Sequence, residues 1–88
     1  MASRTVDVLN KRGLHARASA KFVTLAASQS AAVEVEKDGS TVCGTSIMGL
    51  MMLGAACGDR ITISANGDGA EDAVAALAEL VEAKFGED

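Results

Sequence analysis

Apolar and polar residues alternate with a period of two in three places along the chain. Thr5-Val6-Asp7-Val8-Leu9, Ala32-Val33-Glu34-Val35-Glu36-Lys37 and Arg60-Ile61-Thr62-Ile63-Ser64-Ala65 each read as a strand with one face buried. Asp38-Gly39 is a two-residue hairpin signal, so Ser40-Thr41-Val42-Cys43 is the returning strand. Helical spacing governs Ala16 to Ala27, where Ala16, Ala20, Val23 and Ala27 recur on one stripe and Arg17 and Lys21 lie on a more polar one. Ser46 opens, and Gly54 closes, a short run from Ile47 to Leu53 that is apolar nearly all round. A last helix follows Asn66-Gly67-Asp68-Gly69. Asp68 and Glu71 fit a capping pair, Val74, Leu77, Ala78, Val81 and Phe85 make its inner stripe, and Gly86 ends it. The order βαββαβα predicts an α+β domain in which one sheet carries its helices on a single face.

The chain's 88 residues, with 49% apolar and 23% charged side chains, are expected to form one globular domain over 1–88. Aromatic residues make up only 2%, so Val, Ile, Leu, Ala and Met must fill the interior. A net charge of -4 argues against general nucleic-acid binding, which needs a basic face to displace counterions. No apolar run is long enough to span a bilayer, and Met1-Ala2-Ser3-Arg4-Thr5 does not resemble a signal peptide, so the cytoplasm is the expected compartment. Cys43 and Cys57 lack metal-ligand spacing and are expected to be small buried residues, with no metal and no disulfide. The charge is unevenly placed. Lys11, Arg12, Arg17 and Lys21, half of the eight basic residues, flank the single histidine, whereas seven of the twelve acidic ones lie between Asp68 and Asp88.

That histidine, His15, stands where the first strand gives way to the first helix, in Gly13-Leu14-His15-Ala16-Arg17. Imidazole is the one side chain that offers a substantial neutral, nucleophilic form near neutral pH. A helix N-terminus presents unpaired N–H groups and about half a positive charge, which favour an attached phosphoryl group. The backbone amides of Ala16 and Ala18 and the Arg17 guanidinium are the expected hydrogen-bond donors to that phosphoryl group. For an arbitrary lone histidine, capping the helix would be the better reading.

The wider pattern favours the chemical reading. Gly13-Leu14-His15-Ala16-Arg17 with Ala20 resembles the active-site motif of the HPr family, the histidine phosphocarriers of bacterial phosphotransferase systems. Ser46-Ile47-Met48-Gly49-Leu50-Met51, with Leu53-Gly54-Ala55 and Gly58, resembles that family's second signature, a regulatory serine heading a short helix. The resemblance covers essentially the whole chain. It implies an open-faced sandwich, a four-stranded antiparallel sheet under three helices. It also implies a relay role in place of stand-alone catalysis, without a cofactor. His15 would take a phosphoryl group on Nδ1, the pros nitrogen, from enzyme I, itself charged by phosphoenolpyruvate, and pass it to enzyme IIA proteins of sugar transport. A dedicated kinase/phosphorylase that modifies the matching serine in some relatives makes Ser46 a candidate regulatory site.

One position departs from the family pattern. Ala18 stands where proline is usual, giving up a preset φ near -65° while keeping an excellent helix former, so transfer is expected to survive. By itself Ser46 reads as a structural cap. Ile47, Met48 and Met51 are the expected docking surface, with Leu50 and Leu53 in the core, and Lys11, Arg12, Arg17 and Lys21 would steer an acidic partner to a monomeric carrier. Gly67-Asp68-Gly69 is only a weak match to a nucleotide-binding loop, because the third glycine is missing. Two other readings stand beside the sugar branch: a regulatory carrier of the nitrogen-related phosphotransferase branch, and a βαβ-type binding module that is never phosphorylated.

Overall fold

The computed structural model describes residues 1–86; Glu87 and Asp88, the last two of the C-terminal acidic group, lie outside the described residues. Its elements are β1 (Ala2–Asp7), α1 (Ala16–Ala27), β2 (Ala32–Lys37), β3 (Ser40–Cys43), α2 (Ile47–Met52), β4 (Arg60–Asn66) and α3 (Ala70–Glu82), followed by a 3₁₀ turn over Lys84–Gly86. The four strands form one antiparallel sheet in the order β1-β4-β2-β3. Three helices complete an open-faced sandwich of the kind the HPr resemblance implies.

Alternation decides which side of the sheet is covered. Val6, Val33, Val35, Ile61, Ile63 and Ala65 are buried beneath the helices with Leu50, Leu77, Val81 and Phe22. The intervening residues make a polar outer face, where Thr5 and Thr62, directly opposite in register, share a 3.0 Å hydroxyl hydrogen bond. Arg60 pairs with Asp7 at 3.0 Å on neighbouring strands.

Strand β1 begins three residues before its expected start. Ala2, Ser3 and Arg4 pair with Ala65, Ser64 and Ile63, so the partner strand imposes extended structure on residues whose own pattern is weak. Past the end of β1, Val8 keeps single bonds, its N–H donating to the Asp59 carbonyl at 2.8 Å and its carbonyl accepting from Gly58 at 2.7 Å.

Helix α1 buries a different stripe from the expected one. Ala18, Ser19, Phe22 and Ala26 face the core, while Ala16 and Ala27 are exposed. In an alanine-rich helix several stripes are nearly equivalent, and burying the large Phe22 ring decides among them. Helix α3 is capped by Gly69 in a left-handed conformation and not by an Asp68–Glu71 pair. A turn bond from the Ala70 N–H to the Gly67 carbonyl moves the start one residue on, leaving Glu71 and Asp72 in the first turn, where they complement the dipole. The same helix ends at Glu82, before Phe85. Lys84 and Phe85, at φ 59° and 57°, reverse the chain so that the phenyl ring reaches the core from the turn beyond the helix. Lys21 Nζ pins that turn by donating to the Phe85 carbonyl at 2.7 Å.

Both cysteines are exposed free thiols, contrary to the expectation of burial. Cys43 ends the edge strand β3, and Cys57 occupies the loop before β4, positions that no helix covers. The Thr45 side-chain hydrogen bond, at 3.1 Å, holds the Cys43 thiol below its ordinary pKa.

Candidate functional site

A tight turn delivers His15 to the helix. The Gly13 N–H donates to the Asn10 carbonyl at 3.1 Å, and Asn10 Nδ2 donates back to the Gly13 carbonyl at 2.8 Å, bracketing Lys11 and Arg12 on an exposed loop. Gly13 is at φ +63°, and a Cβ there would sit 2.2 Å from the Ala55 carbonyl oxygen. Only glycine fits. This close approach brings the turn against the loop after α2, where the Leu14 N–H donates to the Ala55 carbonyl at 2.9 Å. The two regions singled out in the sequence, around His15 and around Ser46, are thus joined through the backbone of residues 13–14 and 55.

His15 is the N-cap of α1, with extended backbone (φ -77°, ψ -178°), and its ring is half-buried. Its Nδ1 accepts from the Arg17 backbone N–H at 3.1 Å. An accepting Nδ1 places the ring proton of neutral imidazole on Nε2 and leaves the Nδ1 lone pair directed at the helix N-terminus. The reading as a cap and the reading as a nucleophile therefore describe the same atom. Among the backbone amides of the first turn, that of Arg17 is hydrogen-bonded to the ring. The Arg17 side chain is exposed, as are Lys11, Arg12 and Lys21. Lys21 is tied to the turn beyond α3, and with Arg17 it lines a shallow groove of about 550 Å³ between α1 and α3 that also includes Ala20, Leu25 and Leu80.

Ser46 caps α2, its Oγ accepting from the Gly49 N–H at 3.0 Å. Leu50 is buried and Leu53 half-buried, whereas Ile47 (41%), Met48 (68%), Met51 (41%) and Met52 (79%) are exposed. Helix α2 packs against α1 and β3, so its free side forms an apolar patch beside the helix that His15 begins. Met52, the most exposed of the four, adds to the three residues expected there.

The family model described as the PTS HPr component phosphorylation site matches residues 2–83. The chain belongs to the HPr family. A phosphocarrier protein HPr of Neisseria meningitidis serogroup A is 45% identical over 87 residues, covering 99% of this chain and 98% of that protein. A solved HPr structure from Thermoanaerobacter tengcongensis superposes with a TM-score of 0.95 at 46% identity, covering 100% of this chain and 99% of that one. The phosphocarrier protein NPr of Shewanella violacea is 38% identical over 84 residues, covering 96% of this chain and 92% of that protein. HPr proteins are phosphocarriers of the phosphotransferase system, and among the described residues no helix is long and apolar enough to cross a membrane.

Two polar residues of the site, Asn10 and Ser19, escaped the sequence reading. Asn10, three residues before Gly13, reads as an ordinary turn former, and Ser19 as a neutral member of a helix. What sets them apart is burial, which their local sequence does not signal.

Proposed function

We propose that this chain, acting as one cytoplasmic domain, is a phosphoryl carrier in which His15 Nδ1 is the acceptor. The observation that carries the reading is the Nδ1 lone pair held at a helix N-terminus by the Arg17 amide. In the forward step that lone pair attacks the phosphorus of phospho-enzyme I. The new N–P bond forms as the donor's N–P bond breaks, and the donor's ring nitrogen leaves with the bonding electrons. The imidazole, still protonated on Nε2, becomes cationic while carrying the dianionic phosphoryl group. As phosphorus takes the place of the amide proton on Nδ1, the Arg17 N–H turns to a phosphoryl oxygen, and the helix N-terminus with the Arg17 guanidinium stabilises the charge. Transfer to an enzyme IIA protein reverses these events. Because both steps join nitrogen to phosphorus, the group is carried without being stored in a deep minimum, which suits a carrier and not a stand-alone catalyst.

Ile47, Met48 and Met51 form the docking surface, and Lys11, Arg12, Arg17 and Lys21 orient an acidic partner. Ser46 is the regulatory position, open to a kinase/phosphorylase of the family's type. A second reading, in which the carrier serves regulation in a nitrogen-related branch, draws on the likeness to the Shewanella violacea NPr. Incubation with phosphoenolpyruvate and a bacterial enzyme I tests the core proposal by intact mass and phosphorus NMR. Wild type gains one acid-labile phosphoryl group and His15→Ala, folded by circular dichroism, gains none. A folded wild type that stays unmodified removes the carrier reading in favour of a binding module, and a His15→Ala variant that is still labelled removes His15 as the acceptor.

A further inference from the structure

Ser19 lies four residues after the His15 cap, where an apolar side chain usually packs back onto the residue preceding the cap. Here that place holds a fully buried hydroxyl, which donates to the Leu14 carbonyl at 3.2 Å, while the Ser19 N–H donates to the His15 carbonyl at 2.9 Å. Since the Leu14 N–H is also tied, to Ala55, both backbone polar groups of Leu14 are fixed. The peptide plane joining Leu14 to His15 cannot then turn freely, and that plane sets the direction in which the imidazole leaves the backbone. Asn10, also buried, secures the far side of the turn through its 2.8 Å bond to the Gly13 carbonyl.

The residue before Ser19 is Ala18, where the family pattern carries a proline that would stiffen this same first turn. We propose that Ser19 is a positioning residue for phosphoryl transfer, its hydroxyl restoring through the Leu14 carbonyl the rigidity that alanine at position 18 gives up. This rests on the reading of His15 as acceptor. Ser19 touches neither the reacting nitrogen nor the phosphoryl group; it acts through the Leu14–His15 peptide.

The test is a cycle of wild type, Ser19→Ala, Ala18→Pro and the double variant, read by transfer kinetics with enzyme I and by the amide proton resonance of Arg17. With alanine at 18, removing the hydroxyl lowers the maximal transfer rate about fivefold at unchanged half-saturating concentration, the effect of one ordinary hydrogen bond. The Arg17 resonance moves upfield as its bond to Nδ1 loosens. With proline at 18 the same removal costs less than about twofold, and the resonance stays in place. An equal loss in both backgrounds, or an Arg17 resonance indifferent to the hydroxyl, overturns the proposal. If Ser19→Ala does not fold alone, the comparison within the proline background decides, and a fivefold loss there overturns it. The resonance needs no phosphoryl donor, so a wild type that accepts no phosphate would end the carrier reading while leaving the positioning question answered.

Discussion

His15 Nδ1 serves as a helix cap at rest and, in the proposed reaction, as the nucleophile. The Arg17 amide 3.1 Å away keeps the lone pair oriented at the cost of a single weak bond to be exchanged during transfer. Gly13 is what allows this ring to stand where it does. Substituting alanine forces a left-handed conformation on a residue with a Cβ and drives that Cβ into the Ala55 carbonyl, 2.2 Å from its ideal position. Gly13→Ala is therefore expected to destabilise the fold by about 2 kcal/mol or more, lowering the melting temperature by roughly 8 °C or more. A thermal melt within about 2 °C of wild type would show that the turn relaxes without strain.

At the scale of elements, α2 is a helix of six residues that would not persist alone, and its stability comes from the buried Leu50 and from the Ser46 cap. Ser46→Ala leaves the Gly49 N–H without its acceptor and should cost about 1 kcal/mol in denaturant unfolding. Ser46→Asp keeps an acceptor and places negative charge on the helix N-terminus, so stability should stay within about 0.5 kcal/mol of wild type. The same charge stands at the edge of the Ile47–Met48–Met51 patch, and against an acidic partner it should raise the half-saturating concentration for enzyme I. Unchanged transfer kinetics in a folded Ser46→Asp protein would remove Ser46 from regulation and leave it a structural cap.

Over the whole molecule, charge is sorted. A net charge of -4 coexists with a cationic segment, in which Lys11, Arg12, Arg17 and Lys21 all lie within six residues of His15, and with an acidic helix α3 whose first turn carries Glu71 and Asp72. Steering by exposed charges weakens once their separation exceeds the screening length, about 10 Å at 0.1 M salt. Raising ionic strength from about 20 mM to 500 mM should therefore slow the second-order rate of phosphoryl transfer while leaving the maximal rate nearly constant. Stopped-flow transfer measured across that range checks this, and a salt-independent second-order rate would assign docking to the methionine patch alone.

Much of this architecture was legible from one dimension. Period-two alternation placed β2 and β3 at their observed limits, because Asp38-Gly39 leaves that hairpin little freedom of register. Gly13, His15, Arg17 and Ser46 stood out because each combines a rare side chain or backbone demand with a helix boundary, which is a local property. What needed the third dimension was every feature settled by a partner far along the chain. Strand β1 starts at Ala2 because β4 lies beside it, and α1 turns Phe22 inward because the sheet is there to receive it. The reversal that buries Phe85 depends on a lysine 64 residues earlier. Ser19 is polar in composition yet buried in place, and only the folded backbone brings its hydroxyl to the Leu14 carbonyl. Local sequence determined the elements and the residue types of the candidate site; burial and the long-range Leu14–Ala55 hydrogen bond, which no short window contains, decided how the turn that carries His15 is held.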